Sequence, residues 1–579
     1  LPAQTPIYAP LAGVVYVLHN NDRQRDYGPT LILQHEYQRA DKSTGHFYTL
    51  YGHLSRATLQ QHQVGDAIGV GQLLGWTGEP HENGGWSPHL HLQVMHDLLG
   101  FKDDFPGACS PNDWPVMRAL CPDPASLFTD CQLPPQSAAP NSPLIEFRQQ
   151  HLGKSLSLSY DEPLQMLRGD DVYLLDQWGQ KYLDTCNNVA HVGHEHPRVV
   201  AAGQAQMAVL NTNSRYLHPA LNAFSEALLA TLPEELSVLH LVNSGSEANE
   251  LALRMAQAYS GGKHVIALES GYHGNSAACI DISSYKFDGR GGAGAPAHTH
   301  IVPIPDAFRG RHRDANGGAN GGANGGADCA TAYAQYVQDA VDELAANNQP
   351  LSAFIAESIV SCGGQIELPA GYLKQVYAMV RKAGGLCIAD EVQVGCGRIG
   401  THFWAFAAHD VVPDILTIGK PIGNGHPLAV VACTREVAER FANGMEYFNT
   451  FGGNPVSATI GHAVLSVIKD EGLQQNALHT GHYLKQHLHR LQSQFPIIKD
   501  VRGQGLFLGF ELCDDDLNPL PKQAAYLANR MRELGILIST DGPDHNVIKL
   551  KPPMTFRRSH ADELLNRLST VLGEYAMRN

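Results

Sequence analysis

The feature that most constrains this chain is a set of short, nearly uninterrupted apolar runs, HVIALES, AFIAESI, LCIADEV and ILTIGK, lying between residues 264 and 420 with helical patterns among them. A strand of this composition has no polar face, so both its faces must be covered. Such strands alternating with helices give a mainly parallel sheet between helical layers, and the expected fold class is α/β. A further run, VLHLVNSG, passes into SEANELALRMAQAYS, where Ala248, Leu251, Ala252, Met255, Ala256 and Tyr259 share one helical face.

A chain of 579 residues is too long for one hydrophobic core and should divide into several compact units. Residues 1–130 carry the runs YAPLAGVVYVL, PTLILQHE, HFYTLYGHL and HLHLQVM between Gly, Pro and Asn turns, and read as a small all-β domain without helical period. Residues 131–143, CQLPPQSAAPNSP, read as a linker, and a new domain covers 144–579. From Ala315 to Gly326 the tetrad Ala-Asn-Gly-Gly occurs three times, a composition expected of a mobile loop insertion. The opening LPAQTPIYAP lacks the basic start and apolar run of a secretory signal and reads as an edge cut within a longer chain.

The net charge of −16 argues against nucleic-acid or anionic-membrane partners. No apolar stretch approaches the roughly 20 residues needed to cross a bilayer. The 11 cysteines include no Cys-x-x-Cys pair, which suits reduced thiols in a cytoplasmic enzyme.

Ligands of open α/β sheets bind beyond the carboxyl ends of the strands. Three runs end there in polar residues: LCIAD at Asp390, ILTIGK at Lys420, and VLHLVNSGSEAN in the turn Ser244, Gly245, Ser246. The turn opens a helix, whose first N–H groups can receive an anion; the same residues also suit a simple helix cap. Asp390 and Lys420 could likewise be an ordinary strand-end carboxylate and a solvated loop lysine.

Taken together, NSGSEAN (243–249), GYHG (271–274), IADEVQVGCGR (388–398), TIGKPIGNG (417–425) and FNTFGGNP (448–455) resemble the class III aminotransferases over nearly everything from about residue 145 onward. The resemblance implies the aspartate-aminotransferase fold, fold type I, with a large domain at about 190–455. A small α+β domain would form from the segment before it together with about 456–579. It implies pyridoxal 5'-phosphate as cofactor, Lys420 as its Schiff-base lysine, and Asp390 as the carboxylate that keeps the pyridine nitrogen protonated. Gln393 would meet the phenolic oxygen. Ser244, Gly245 and Ser246 would hold the phosphate, Tyr272 would lie against the ring with His273 beside it, and Glu357 would line the pocket as a catalytic residue. Thr450 would reach a neighbouring subunit's phosphate, which makes the expected assembly a homodimer with shared sites.

Within this class, NNVAHVGHEHP, NTNSRYLH, GMEYFNTFGGNP and STDGPDHNVIKLKPP are similar to phospho-lyases acting on ethanolamine phosphate and phosphohydroxylysine. On that likeness Asn188, His191, Arg215, Lys286, Arg290 and Lys549 are candidates for holding substrate. Lys549 occupies the place where relatives using 2-oxoglutarate carry an arginine that clamps a carboxylate; a lysine lacks that planar fork. Once the substrate amine has replaced Lys420 on the cofactor, the freed lysine amine can remove a proton from the amine-bearing carbon. If the adjacent carbon bears phosphate, phosphate leaves and an aldehyde and ammonia follow; otherwise the amino group is transferred. The readings are therefore a phospho-lyase on a phosphorylated amino alcohol, an ω-aminotransferase, and a bifunctional chain.

YGHLS (51–55) and SPHLHLQV (87–94) resemble lysostaphin-type zinc endopeptidases, with His53 and His89 as catalytic histidines and His91 as a metal ligand. The resemblance places His89 and His91 on one strand face. The His-x-x-x-Asp segment that supplies the other ligands is not among these residues, and one ligand cannot close a zinc site. The expectation is a metal-free structural or substrate-presenting domain.

Overall fold

The computed structural model describes residues 2–23, 25–38, 44–110, 113–122, 124, 127, 142–313 and 327–577. Residues 131–141 of the expected linker and the whole Ala-Asn-Gly-Gly repeat lie outside the described residues, and a helix, Ser142–His151, begins at the linker's end. The chain divides into two compact units, Leu1–Arg168 with Leu174–Tyr182, and Gly169–Tyr173 with Leu183–Asn579.

In the first unit an antiparallel sheet orders its strands Ala67–Ile68, Gly13–Asn21, Gly28–Gln38, Thr44–Gly52 and His91–Met95, and Pro6–Tyr8 pairs separately with Leu73–Trp76. The alternation along Gly13–Asn21 puts Val15 and Val17 inside and Val14 and Tyr16 out. The all-β expectation is corrected by two short helices, Thr58–Gln61 and Trp114–Leu120. Helices this short show no period in sequence. A second correction concerns His89, which precedes the strand instead of sharing a face of it with His91.

The second unit is built on a sheet of seven strands, in the order Val238–Val242, Ala429–Cys433, Ile415–Ile418, Leu386–Asp390, Leu351–Glu357, His264–Leu268 and Thr299–Val302. Ala429–Cys433 runs antiparallel to both its neighbours, and all other pairings are parallel. The continuous apolar runs have their explanation here. Phe354 and Ala356 pack under the helices Ala327–Ala346 and Tyr372–Lys382, while Ala353 and Ile355, pointing the other way, pack under Gly245–Ser260. That last helix starts at the cap Ser244, whose side chain accepts from the Glu247 amide, and stops at Gly261 in the left-handed region with φ 72°.

A smaller antiparallel sheet follows, ordered Ile498–Gln504, Phe507–Leu512, Val547–Leu550 and Ser539–Asp541. The helix Leu473–Gln494 crosses it closely at Gly481. A Cβ there would stand 2.1 Å from the Gly505 carbonyl oxygen. Alanine is the better helix former by about 1 kcal/mol, yet this contact is with backbone and cannot rotate away. We therefore expect Gly481→Ala to destabilise by about 1–3 kcal/mol net, seen as a lowered thermal midpoint at saturating cofactor. A midpoint at or above wild type would show that the helix can move off the turn.

Candidate active site

The parallel register sets the site. Glu357 and Asp390 end adjacent strands directly opposite one another, and Thr417 stands opposite Asp390 on the far side. Lys420 follows two residues beyond Ile418, where its strand gives way to a short 3₁₀ turn. Ser244, Gly245, Ser246, Tyr272, His273, Glu357, Asp390, Gln393 and Lys420 line one cavity of about 440 Å³, within the range of small-molecule sites. The residues singled out from strand ends and turns are thus brought together.

Asp390 is buried, and its Oδ2 accepts from His273 Nδ1 and Asn249 Nδ2, both at 2.8 Å. Its Oδ1 accepts from the Val392 amide at 3.1 Å. Asn249 is itself oriented, since its Nδ2 also donates to the His273 carbonyl, which only accepts, and its Oδ1 accepts from the Thr417 hydroxyl at 2.7 Å. Glu357, almost wholly buried, accepts a short hydrogen bond from the Ser361 amide. Burial, and then the neighbouring Asp390, push its carboxyl up from 4.5 to about 8. Burial holds the Lys420 ammonium below its ordinary value, against the opposing pull of Cys362, Glu357 and Asp390.

The opposite wall is a helix N-terminus. Gly245 cannot carry a side chain, because a Cβ would lie 2.6 Å from Val392 Cγ1, and at Gly274 a Cβ would lie 2.8 Å from the Ser246 backbone. These two glycines let the first N–H groups of the helix, which lack partners within it, face the cavity. His273 Nε2 is buried without a hydrogen-bond partner. A strand-end carboxylate, a buried lysine and a helix N-terminus around one cavity match the donor set that pyridoxal phosphate requires.

The other sequence candidates scatter. Asn188 stands behind the wall, its Nδ2 donating to Gln393 Oε1 at 3.2 Å. His191 has to be withdrawn as a substrate residue. It is fully buried, Nε2 bonds the Cys396 carbonyl at 2.8 Å, Nδ1 accepts from Arg398 at 3.1 Å, and burial lowers it to about 3. Arg215 pairs with Glu446 at 2.9 Å and covers the Phe448 ring. Lys286 lies 5.5 Å from the Tyr272 ring centroid and 5.3 Å from that of Tyr285, while Arg290 is exposed beyond it. Lys549 Nζ is 3.4 Å from Asp541 Oδ2. Thr450 is exposed on a loop outside the cavity.

Sequence reasoning missed Asn249 and Lys551. Asn249 lies inside the quoted NSGSEAN, one turn of helix beyond the cap, and Lys551 stands two residues after Lys549. Lys551 is fully buried, with Nζ 2.7 Å from Ser361 Oγ and 3.4 Å from Gln393 Oε1.

In the first unit His53 stacks near His89 with ring centroids 4.4 Å apart and near His91 at 6.1 Å. His53 Nδ1 meets the Asn83 carbonyl at 3.0 Å and His91 Nε2 meets Gln93 Oε1 at 3.2 Å. Among the described residues no group of three or more His, Cys, Asp or Glu is placed to hold a metal ion, and no helix is long and apolar enough to cross a membrane.

Residues 157–572 match the family model described as aminotransferase class-III, and residues 1–101 match peptidase family M23. The chain is 49% identical to an alanine–glyoxylate aminotransferase 2-like protein of Drosophila melanogaster, over 73% of this chain and 85% of that one. It is 38% identical to ethanolamine-phosphate phospho-lyase homolog 1 of Caenorhabditis elegans, over 74% and 93%. Among solved structures, a phospholyase from Arthrobacter in complex with phosphoethanolamine superimposes with a TM-score of 0.70 at 37% identity, over 74% of this chain and 99% of that one.

Glu357 offers a direct check on the electrostatics. Between its ordinary 4.5 and about 8 the folded chain keeps a proton that the unfolded chain has released, so its contribution to stability is present below 4.5 and is lost as pH rises to about 8. Glu357→Gln mimics the protonated form. The variant's thermal midpoint, relative to wild type, should rise as pH is taken from about 5 to about 8; a pH-independent difference would contradict a protonated Glu357.

Proposed function

The chain belongs to the class-III aminotransferase family and is a pyridoxal-phosphate-dependent enzyme, and from that premise we propose that it is a phospho-lyase acting on a phosphorylated primary amine, O-phosphoethanolamine or a related phosphorylated amino alcohol. The observation that carries this reading is the 37% identity, over 99% of its length, with the Arthrobacter phospholyase in complex with phosphoethanolamine.

Bound in the cavity, the cofactor supplies an electron sink for the charge left when a proton is taken from the amine-bearing carbon. The chain supplies the rest. Lys420, whose ammonium burial holds below its ordinary value, would anchor the cofactor and then take that proton. Asp390, held by His273 and Asn249, keeps a proton on the pyridine nitrogen. Ser244, Gly245 and Ser246 would cradle the cofactor phosphate, Tyr272 would wall the ring, and Gln393 would donate to the phenolic oxygen. Glu357, protonated at neutral pH, adds no second negative charge beside Asp390. Substrate phosphate calls for cations at the entrance, and Lys549 and Lys286 are our choice, with Arg215 and Arg290 further out. As the carbon–oxygen bond to phosphate breaks, the pair of electrons left by the proton forms the new double bond. Water then releases aldehyde and ammonia.

We also assign a homodimer. Thr450 shares an exposed loop with Met445, Phe448 and Phe451, and Tyr216 and Leu217 are open nearby in sequence to Arg215, an apolar surface of the kind that a second copy covers. The ten described cysteines are unpaired, which supports a reducing, cytoplasmic setting. For the first unit we keep a structural or substrate-presenting role.

The 49% identity with the alanine–glyoxylate aminotransferase 2-like protein favours a second reading, an ω-aminotransferase. Products separate the two. With O-phosphoethanolamine and no keto acid, we expect phosphate, ammonia and aldehyde in equal amounts over many turnovers, and no alanine when pyruvate is added. Alanine formed in proportion to unphosphorylated amine, with no phosphate released, would replace the lyase by the transaminase.

A further inference from the structure

Lys551 is a buried lysine that the mechanism above does not use. The residue is 1% exposed, and its ammonium stands 3.8 Å from Asp541 Oδ2 and 4.5 Å from the Phe507 ring centroid. It donates to Ser361 Oγ at 2.7 Å and to Gln393 Oε1 at 3.4 Å. The titratable groups bearing on it are Asp541, Lys549, Cys362 and Glu357, and burial lowers it to about 8. Removing a hydrated ammonium from water is costly, and an apolar side chain would fill the place beside Phe507 more cheaply.

What an ammonium does there that an apolar group cannot is fix an amide. Gln393 has an oxygen end and a nitrogen end of nearly equal shape, and either could face the cavity. Two donors converge on its Oε1, Lys551 Nζ and Asn188 Nδ2. Asn188 is itself an amide and could turn over to serve either end. An ammonium only donates. Lys551 therefore holds the carbonyl oxygen toward itself and leaves Nε2–H as the end that faces the cavity.

Resting on the reading that this cavity holds pyridoxal phosphate with Gln393 at its phenolic oxygen, we propose that Lys551 is a positioning residue that sets the orientation of the Gln393 amide, so that a donor and not an acceptor meets that oxygen. A donor at an ionised oxygen favours the ionised form, and an acceptor there disfavours it. With Lys551 gone the amide can turn, and the bound cofactor should hold its proton to higher pH.

The test is the pH titration of the visible absorbance of the holoenzyme, in wild type, Lys551→Met, Gln393→Ala and the double variant. We expect Lys551→Met to raise the midpoint by about one unit, a tenfold change in proton affinity, Gln393→Ala to raise it comparably, and the double variant to go no further than Gln393→Ala. Additive shifts would show that Lys551 acts through its charge and not through the amide, and an unmoved midpoint in Lys551→Met would show that it does not act at all; either overturns the proposal. If Lys551→Met does not fold, Asn188→Ala asks the question from the other side. With Lys551 in place its midpoint should stay where it is in wild type, and a shift as large as that of Gln393→Ala would make the asparagine the orienting group and overturn the proposal. A wild-type enzyme with no cofactor absorbance would sink the cofactor reading, and this proposal with it, and that outcome is told apart by the first spectrum.

Discussion

Asp390 ends a fully buried strand between two others, with Glu357 in register on one side and Thr417 on the other. Two carboxylates cannot both stay ionised at such a place without large cost, because each unit of displaced pKa is about 1.4 kcal/mol. The surrounding groups treat the two differently. Asn249 and His273 both donate to Asp390, and the His273 carbonyl, which only accepts, also takes a hydrogen bond from the Asn249 amino group and so fixes that end of the amide toward the carboxylate. Glu357 is left with one backbone donor and, at about 8, holds its proton.

The lysine side of the cavity follows from the same burial. Lys420 sits where desolvation outweighs its acidic neighbours and holds its ammonium below its ordinary value. Lys549 lies on the last strand of the smaller sheet and Lys551 just past its end, and both approach Asp541. Orienting a polar side chain by a fixed donor or acceptor recurs on both walls: the His273 carbonyl, which only accepts, does it for Asn249, and we infer that Lys551 does it for Gln393.

Much of this was legible in the chain. The parallel sheet was visible because strands buried on both faces leave continuous apolar runs, and the polar residue at the end of each run pointed to Asp390, Lys420 and the Ser244–Ser246 turn, which the structure brings to one cavity. What was not legible depends on long-range contacts. His191 sits in a polar, histidine-rich segment that reads as functional, and nothing local discloses that the Cys396 carbonyl and Arg398 enclose it. Lys551 was passed over for Lys549, because it stands just past the end of the strand Val547–Leu550 and its burial depends on distant groups. The helix Trp114–Leu120 was too short to leave a period.

The central claim is that the cavity carries pyridoxal phosphate on Lys420. Reduction of the freshly purified enzyme with borohydride, followed by proteolysis and mass mapping, reads this directly. A cofactor bound as described leaves a stable phosphopyridoxyl mass on the peptide containing Lys420 and on no other. Unmodified Lys420, or the same mass on Lys549 or Lys551, would contradict the assignment of the site.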